Sequence, residues 1–321
     1  SIVGGNPYSP GGYAVVMNPN TGGIYALAGV NRNVKTGKIT DNALGAINQT
    51  YVMGSVVKGA MVLGALKSGV ITPSNNTLTD EPIKLKGTAT KSSWFNKTGG
   101  ANLSLTASDA LEVSSNSYMM KLAMMEGGFN YVPGSALSLS NSIFDKLRSN
   151  FKQFGLGVKT GIDIPGEAKG FEGPANQAHI GNALDLSFGN YDSYTTLQLA
   201  QYISTIANGG YRLQPHLLKS IRSTKRDGSL GEVKYEFEPN VLNVVGATDS
   251  QWNVVKEGLW KVVHGTSSYR TGTRLADIKP AVCAKSGTAQ TFYNTAETET
   301  LSLVTYAPQK NPQVAIAVAF P

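Results

Sequence analysis

The sequence predicts an α/β (α+β) fold: an antiparallel β-sheet built from both chain ends and flanked by helices, with a large, mostly helical insertion between them. Three observations predict it. β-Rich runs separated by turn residues occur at both ends of the chain, the intervening stretch carries apolar residues at helical spacing, and no repeat or low-complexity linker divides the 321 residues. A chain of that length buries ample core as a single domain. The expected division is a sheet part at about 1–50 and 250–321 and a helical part at about 51–249.

At the start, Tyr13–Met17 and Gly23–Ala28 flank "NPNTG", a turn with hairpin punctuation. At the end, "TLSLVTYAPQKNPQVAIAVAF" repeats the pattern, and Lys279–Phe292 before it brings the C-terminal part to about three strands. In the middle, "SVVKGAMVLGALKSG" places Val57, Met61, Leu63 and Leu66 on a helix that stops at glycine. "LTASDALEVSS" and "NSYMMKLAMMEGG" read as two helices broken at Ser115-Asn116, and "TTLQLAQYISTIANGG" as another amphipathic helix.

The formal charge of +7 raises nucleic acid as a partner, but the basic residues are scattered and no aromatic-rich nucleic-acid motif accompanies them. A diffuse basic surface suits an anionic polymer or membrane face instead. Cys283 is the only cysteine, which excludes an intrachain disulfide. His179, His216 and His264 lack ligand spacing, so neither a metal nor a cofactor is expected. No apolar run approaches the ~20 residues of a membrane span.

The chemistry-bearing candidates are serines and lysines. "GSVVK" puts Ser55 and Lys58 on one face of a helix start, where the helix dipole favours developing negative charge. A serine hydroxyl needs a base, and a lysine serves only when burial or a nearby cation keeps it neutral. Ser149 and Lys152 share the spacing but sit on a more polar helix face, where coincidence explains them. Ser114-Ser115-Asn116 breaks a helical pattern. Its hydroxyl and carboxamide could relay a proton and hold an amide, or simply cap a helix. Lys-(Ser/Thr)-Gly occurs at Lys35, Lys67, Lys97, Lys159 and Lys285. The first four read as loops, turns or a helix stop. Lys285 alone lies in a strand, "PAVCAKSGTAQTF", where Lys285 and Gly287 point one way and Ser286 and Thr288 the other. Gly287 is expected to leave room for a substrate backbone beside the strand. Cys283 reads as a small buried strand residue rather than a reactive thiol.

Order makes these weak motifs informative together. Ser-x-x-Lys, then Ser-x-Asn, then Lys-Ser-Gly on a strand is the set found in penicillin-binding proteins and serine β-lactamases. With "YAVVMNPNTGGIYALA", "GLGVKTGIDIPGE", "LQLAQYISTIANGG" and "HGTS", the chain resembles, along nearly its whole length, the transpeptidase domain of class B penicillin-binding proteins. Within that family it resembles more closely the elongation-type, 2b-like members of Gram-positive cocci. The resemblance implies that Ser55 is the acylated nucleophile and Lys58 its base. It implies that Ser114 relays protons, Asn116 holds the substrate amide, and Lys285 sets the potential that binds a carboxylate. Ser286, Gly287, Thr288 and Gln290 would bind substrate or β-lactam, with the backbone N–H groups of Ser55 and Thr288 as oxyanion hole.

The implied substrate is a peptidoglycan stem peptide ending in D-Ala-D-Ala, joined to an amine acceptor, with β-lactams as covalent inhibitors. The implied setting is the extracytoplasmic face of the membrane, with an N-terminal anchor outside this chain and a membrane glycosyltransferase as partner. The chain departs from the family pattern in Met53 before Gly54-Ser55, in Ser286 where Thr is common, and in Gln290 where Glu is common. The family's C-terminal helix is not in the sequence, which stops at Phe320-Pro321. The rivals are a serine β-lactamase, a penicillin-sensor domain that binds without catalysis, and a cell-wall-binding module that would not need Ser55.

Overall fold

The computed structural model describes residues 2–293 and 295–321. Both chain ends contribute to one antiparallel sheet, as the β-rich runs predict. Its strands are β1 (Gly11–Met17), β2 (Ile24–Arg32), β3 (Ile39–Asp41), β4 (Cys283–Tyr293), β5 (Ala296–Ala307) and β6 (Val314–Phe320). They lie in the order β4-β5-β6-β1-β2-β3, so β4 is an edge strand and the first and last parts of the chain meet where β6 pairs with β1. The register sets Lys285 opposite Val304, Gly287 opposite Ser302, and Gln290 opposite Glu299.

Six helices matter for the site: α1 (Lys58–Ser68), α2 (Ala107–Glu112), α3 (Asn116–Glu126), α4 (Ser142–Gln153), α5 (Thr196–Ala207) and α6 (Asp249–His264). Every residue of α5 is buried, and the helix packs on β6 and β1. The alternation in β6 explains the close fit. Ala315, Ala317 and Ala319 are fully buried, while the residues between them are half-buried. α1 sits in one continuous core with Val56, Val57, Met61, Leu63 and Leu66 all buried. It ends at Gly69 in the left-handed conformation, the stop that the sequence predicts.

Two features differ from the sequence expectation. Residues 249–264, grouped with the sheet part, form α6, which packs against β4 and α2. Thr248 and Gln251 form a capping box, and Trp252, Val255, Leu259 and Val262 make the buried stripe. The mostly helical insertion also contains short strand pairs, Tyr211–Leu213 with Val241–Val244 and Ser220–Thr224 with Leu230–Glu236. Both pairs have irregular register and largely exposed side chains, so their sequences lack clean alternation. Among the described residues no helix is long and apolar enough to cross a membrane, and no His, Cys, Asp or Glu cluster could hold a metal ion.

Candidate active site

Ser55 lies in a 3-10 turn, Gly54–Val57, that runs straight into α1, whose first residue is Lys58. The turn is held from three sides. Ser302 Oγ on β5 donates to Met53 O at 2.6 Å, Tyr202 Oη on α5 donates to Val56 O at 2.7 Å, and Gly54 N donates to Gly189 O at 2.9 Å. The fit leaves no room for side chains. A Cβ on Gly287 would lie 2.5 Å from Met53 O and 2.4 Å from Ser302 Oγ, and one on Gly54, whose φ is +70°, would lie 2.5 Å from Thr288 O. Gly287 therefore serves the close approach of β4 to the Ser55 turn. The expectation that it leaves space for a substrate backbone is corrected: its bare face points at the protein's own turn.

The break between α2 and α3 carries the Ser-x-Asn residues. Ser114 has φ +57°, a conformation that non-glycine residues adopt at a cost of about 1–2 kcal/mol. Ser115 caps α3, accepting from Tyr118 N at 2.9 Å, so the capping interpretation holds for Ser115 and not for its neighbours. Ser114 Oγ and Asn116 Oδ1 instead face Lys58.

Lys58 is fully buried, and its Nζ donates to Ser114 O at 2.8 Å, Ser114 Oγ at 3.0 Å and Asn116 Oδ1 at 2.7 Å. Lys285 is also fully buried, and its Nζ donates to the same Ser114 Oγ at 3.0 Å and to Ser286 O at 3.0 Å. Burial first, and the charge of Lys285 second, hold Lys58 well below the ordinary lysine range, with Asp80 opposing. Burial lowers Lys285 to about 7. Ser55 Oγ is in none of the Lys58 hydrogen bonds. It faces the groove from which Ser114 reaches inward.

That groove holds about 650 Å³ and is lined by Ser55, Ser114, Asn116, Ser286 and Thr288, together with Trp94, Arg270, Thr271 and Glu299. Motif spacing does not point to the last four. Trp94 Nε1 donates to Val113 O at 2.9 Å, and its ring meets Phe95 and Tyr269 edge-on. Thr271 Oγ1 accepts from Ser286 Oγ at 3.0 Å. Among the described lining residues, Arg270 is the one cation and Glu299 the one anion. Gln290 is exposed two residues beyond Thr288, and its cross-strand neighbour Glu299 lines the groove in its place.

The other candidates sort as expected. Ser149 is exposed on α4, and Lys152 pairs with Glu172 at 2.8 Å. The glycines following Lys35, Lys67, Lys97 and Lys159 all have positive φ, as turn and cap glycines do, whereas Gly287 sits inside a strand. Cys283 is buried, which pushes its thiol up to about 11 and leaves it unreactive.

Residues 12–321 match the family described as penicillin binding protein transpeptidase domain. The chain belongs to that family. It is 38% identical over 322 residues to penicillin-binding protein 2B of Streptococcus pneumoniae, covering 99% of this chain and 47% of that protein. It is 42% identical over 320 residues to penicillin-binding protein 2A of Bacillus subtilis, covering 96% and 43%. The solved structure of penicillin-binding protein 2B from S. pneumoniae strain R6 superposes with a TM-score of 0.94, covering 99% of this chain and 51% of that one at 38% identity. Penicillin-binding protein 3 of Mycobacterium tuberculosis, solved with aztreonam, shares the fold at a TM-score of 0.73 and 22% identity, covering 99% and 68%. The chain spans about half the length of the curated relatives it matches. In this penicillin-binding protein transpeptidase domain, the three motifs meet at one hydroxyl, Ser114 Oγ.

Proposed function

We propose that residues 1–321 act as one serine-type D,D-transpeptidase domain that cross-links peptidoglycan stem peptides and is acylated by β-lactams. The observation that carries this reading is the position of Ser114 Oγ between two buried lysines at 3.0 Å each, beside a groove that exposes Ser55. Such an arrangement can take a proton from a serine and hold it away from water.

In the acylation step, Ser55 Oγ attacks the carbonyl carbon of the penultimate D-alanine. Its proton passes through Ser114 to the neutral Lys58. The terminal C–N bond then breaks, the proton goes to the leaving nitrogen, and D-alanine departs. In the second step an acceptor amine attacks the ester, loses a proton to the restored base, and leaves an amide cross-link and free Ser55. A β-lactam follows the first step only, because its opened ring stays attached. The main-chain N–H groups of Ser55 and Thr288 serve the developing oxyanion. They belong to two segments pressed together at Gly54.

The donor's terminal carboxylate is assigned to Arg270, Ser286 and Thr288. Lys285, lowered to about 7, adds positive potential from beneath only while protonated and is buried, whereas Arg270 lines the groove. Asn116 carries its amide at the groove and holds the donor's peptide bond. The reading sets the domain on the extracytoplasmic face of the membrane, where its polymer lies. A membrane anchor outside residues 1–321 and a glycosyltransferase partner belong to the reading by family resemblance alone.

A β-lactamase is not favoured. Hydrolysis needs a carboxylate to activate water, and the carboxylate that lines the groove, Glu299, is exposed on β5. The test is a stem peptide ending in D-Ala-D-Ala, mixed with an amine acceptor. Release of D-alanine with formation of the cross-linked product, both stopped by penicillin and absent in Ser55→Ala, is the expected result. Penicillin hydrolysis with turnover and no cross-linked product would overturn the reading.

A further inference from the structure

Behind the Ser114 turn lies a carboxylate that the mechanism above does not use. Asp80 is fully buried and has no cation within salt-bridge distance among the described residues. A bare carboxylate in such surroundings is costly unless hydrogen bonds replace its water. Here they do. Ser93 Oγ donates to Oδ2 at 2.5 Å, Ser115 Oγ donates to the same oxygen, and Asn96 Nδ2 donates to Oδ1 at 2.9 Å.

The two hydroxyls also face the other way. Ser115 Oγ accepts from Tyr118 N at 2.9 Å, and Ser93 Oγ accepts from Ser117 N at 3.2 Å. The carboxylate is thus wired through two serines to the first free N–H groups of α3, the positive end of that helix. Ser115 and Ser117 flank Asn116, and Ser114 precedes them. Ser92, next to Ser93, accepts from Asn116 Nδ2 at 3.3 Å. One carboxylate is therefore bonded to Ser115, in the middle of the turn that presents Ser114 and Asn116 to Lys58, and reaches Ser117 through Ser93.

We propose that Asp80 is a positioning residue of the transpeptidase reaction, fixing the Ser114–Asn116 turn through Ser93 and Ser115 and supplying the buried negative charge that acts on Lys58. This rests on the assignment of Ser55 and Lys58 above. The charged groups acting on Lys58 are Lys285 from β4 and Asp80 from the segment before Trp94, and they pull in opposite directions. Burial and the charge of Lys285 both push Lys58 down, which weakens it as a base. Asp80 restrains that fall, because an opposite charge favours the protonated form.

The experiment measures the rate of Ser55 acylation by fluorescent penicillin from pH 5 to 10 in the whole 321-residue chain, together with the final extent of labelling. Complete labelling of the wild type at Ser55, with a Lys58→Arg rate at least about a hundredfold lower, secures the assignment of Ser55 and Lys58 on which the proposal rests, and the Asp80 and Ser115 variants then decide Asp80 alone. Asp80→Asn keeps the shape and removes the charge. It is expected to label to the same final extent, with its acid limb moved to lower pH by roughly one unit. An Asp80→Asn limb that coincides with the wild type would overturn the charge role, since a purely structural residue changes the rate without moving the limb. Ser115→Ala keeps the charge and cuts the link, and it carries the test even where Asp80→Asn fails to fold. Its plateau rate is expected to fall about tenfold with the limb unmoved. A wild-type plateau in Ser115→Ala would overturn the positioning role.

Discussion

Lys58 and Lys285 share one acceptor: each Nζ lies 3.0 Å from Ser114 Oγ. Lys58 has two further partners, Ser114 O and Asn116 Oδ1, and both can only accept. A neutral amine has two N–H donors and one lone pair, so of its three partners only the Ser114 hydroxyl can give it a proton. The neutral form of Lys58 therefore sets a direction. With Lys58 neutral, its bond to Ser114 Oγ runs the other way from that of an ammonium: Ser114 donates to Lys58 while Lys285 donates to Ser114, and in the proposed mechanism a proton reaching Ser114 from the groove is passed inward.

Acylation is expected to slow as pH falls. Lys58 is held well below the ordinary lysine range, so it is neutral at high pH and gains a proton as pH drops through its lowered pKa, which removes the base. Lys58→Arg stays charged throughout and should acylate at least a hundredfold more slowly. Stopped-flow acylation across pH checks both, and near wild-type rates in Lys58→Arg would transfer the base role to Ser114 or water.

Stability carries a matching signature. Lys285 titrates at about 7 in the folded chain and near ~10.4 when unfolded. Between those values the unfolded chain holds a proton that the folded chain has lost, so stability rises with pH across that window. Relative to Lys285→Met, the wild type should gain about 1.4 kcal/mol per pH unit between roughly pH 7.5 and 9.5. Urea unfolding at those pH values measures it, and parallel curves for the two proteins would contradict it.

Ser114 separates hydroxyl from backbone. Ser114→Gly suits the observed φ of +57°, whereas Ser114→Ala retains the strain. The glycine variant should be the more stable of the two by about 1 kcal/mol. Both should acylate slowly, since both lose the atom that joins the lysines. Equal stability would mean that the turn relaxes when the hydroxyl is removed.

Gly287→Ala tests the packing of the Ser55 turn. The added methyl meets Met53 O and Ser302 Oγ at 2.5 Å or less, so β4 or the turn must move. A loss of about 2 kcal/mol in stability is expected, with acylation reduced about a hundredfold. Adding Ser302→Ala frees one of the two clashes and should recover part of the rate. Wild-type acylation in Gly287→Ala would show that the contact is not needed.

Arg270 is tested by changing the ligand as well as the protein. Wild type should prefer a donor peptide with a free terminal carboxylate over its amide, and Arg270→Ala should cut that preference about tenfold. Arg270→Lys should keep part of it. A preference untouched in Arg270→Ala would give the carboxylate to Thr288 and Ser286 alone.

Much of this site is legible in the amino-acid sequence. Ser55, Lys58, Ser114, Asn116 and Lys285 lie on separate elements, yet their order and their placement at helix starts and in a strand foretell a meeting at one place. The strand parity of Lys285 and Gly287 holds, although Gly287 faces the Ser55 turn rather than open space. Trp94, Arg270, Thr271 and Glu299 have no spacing to betray them, because their shared groove exists only once β5 and the segments around residues 94 and 270 are packed. Asp80 hides in "TLTDEPIK", a stretch with no periodicity, and its role depends on serines brought to it from distant positions. α6 does leave a signal, the Thr248–Gln251 box before a stripe of apolar residues, but its many polar neighbours mask it.

The role of Ser55 is tested most directly by the intact mass of the chain after exposure to benzylpenicillin, for wild type and for Ser55→Ala, followed by peptide mapping. One persistent penicilloyl adduct per wild-type chain is expected, on the peptide containing Ser55, and none on Ser55→Ala with its fold intact. An adduct that survives in Ser55→Ala, or that maps to Ser149 or Ser114, would contradict it.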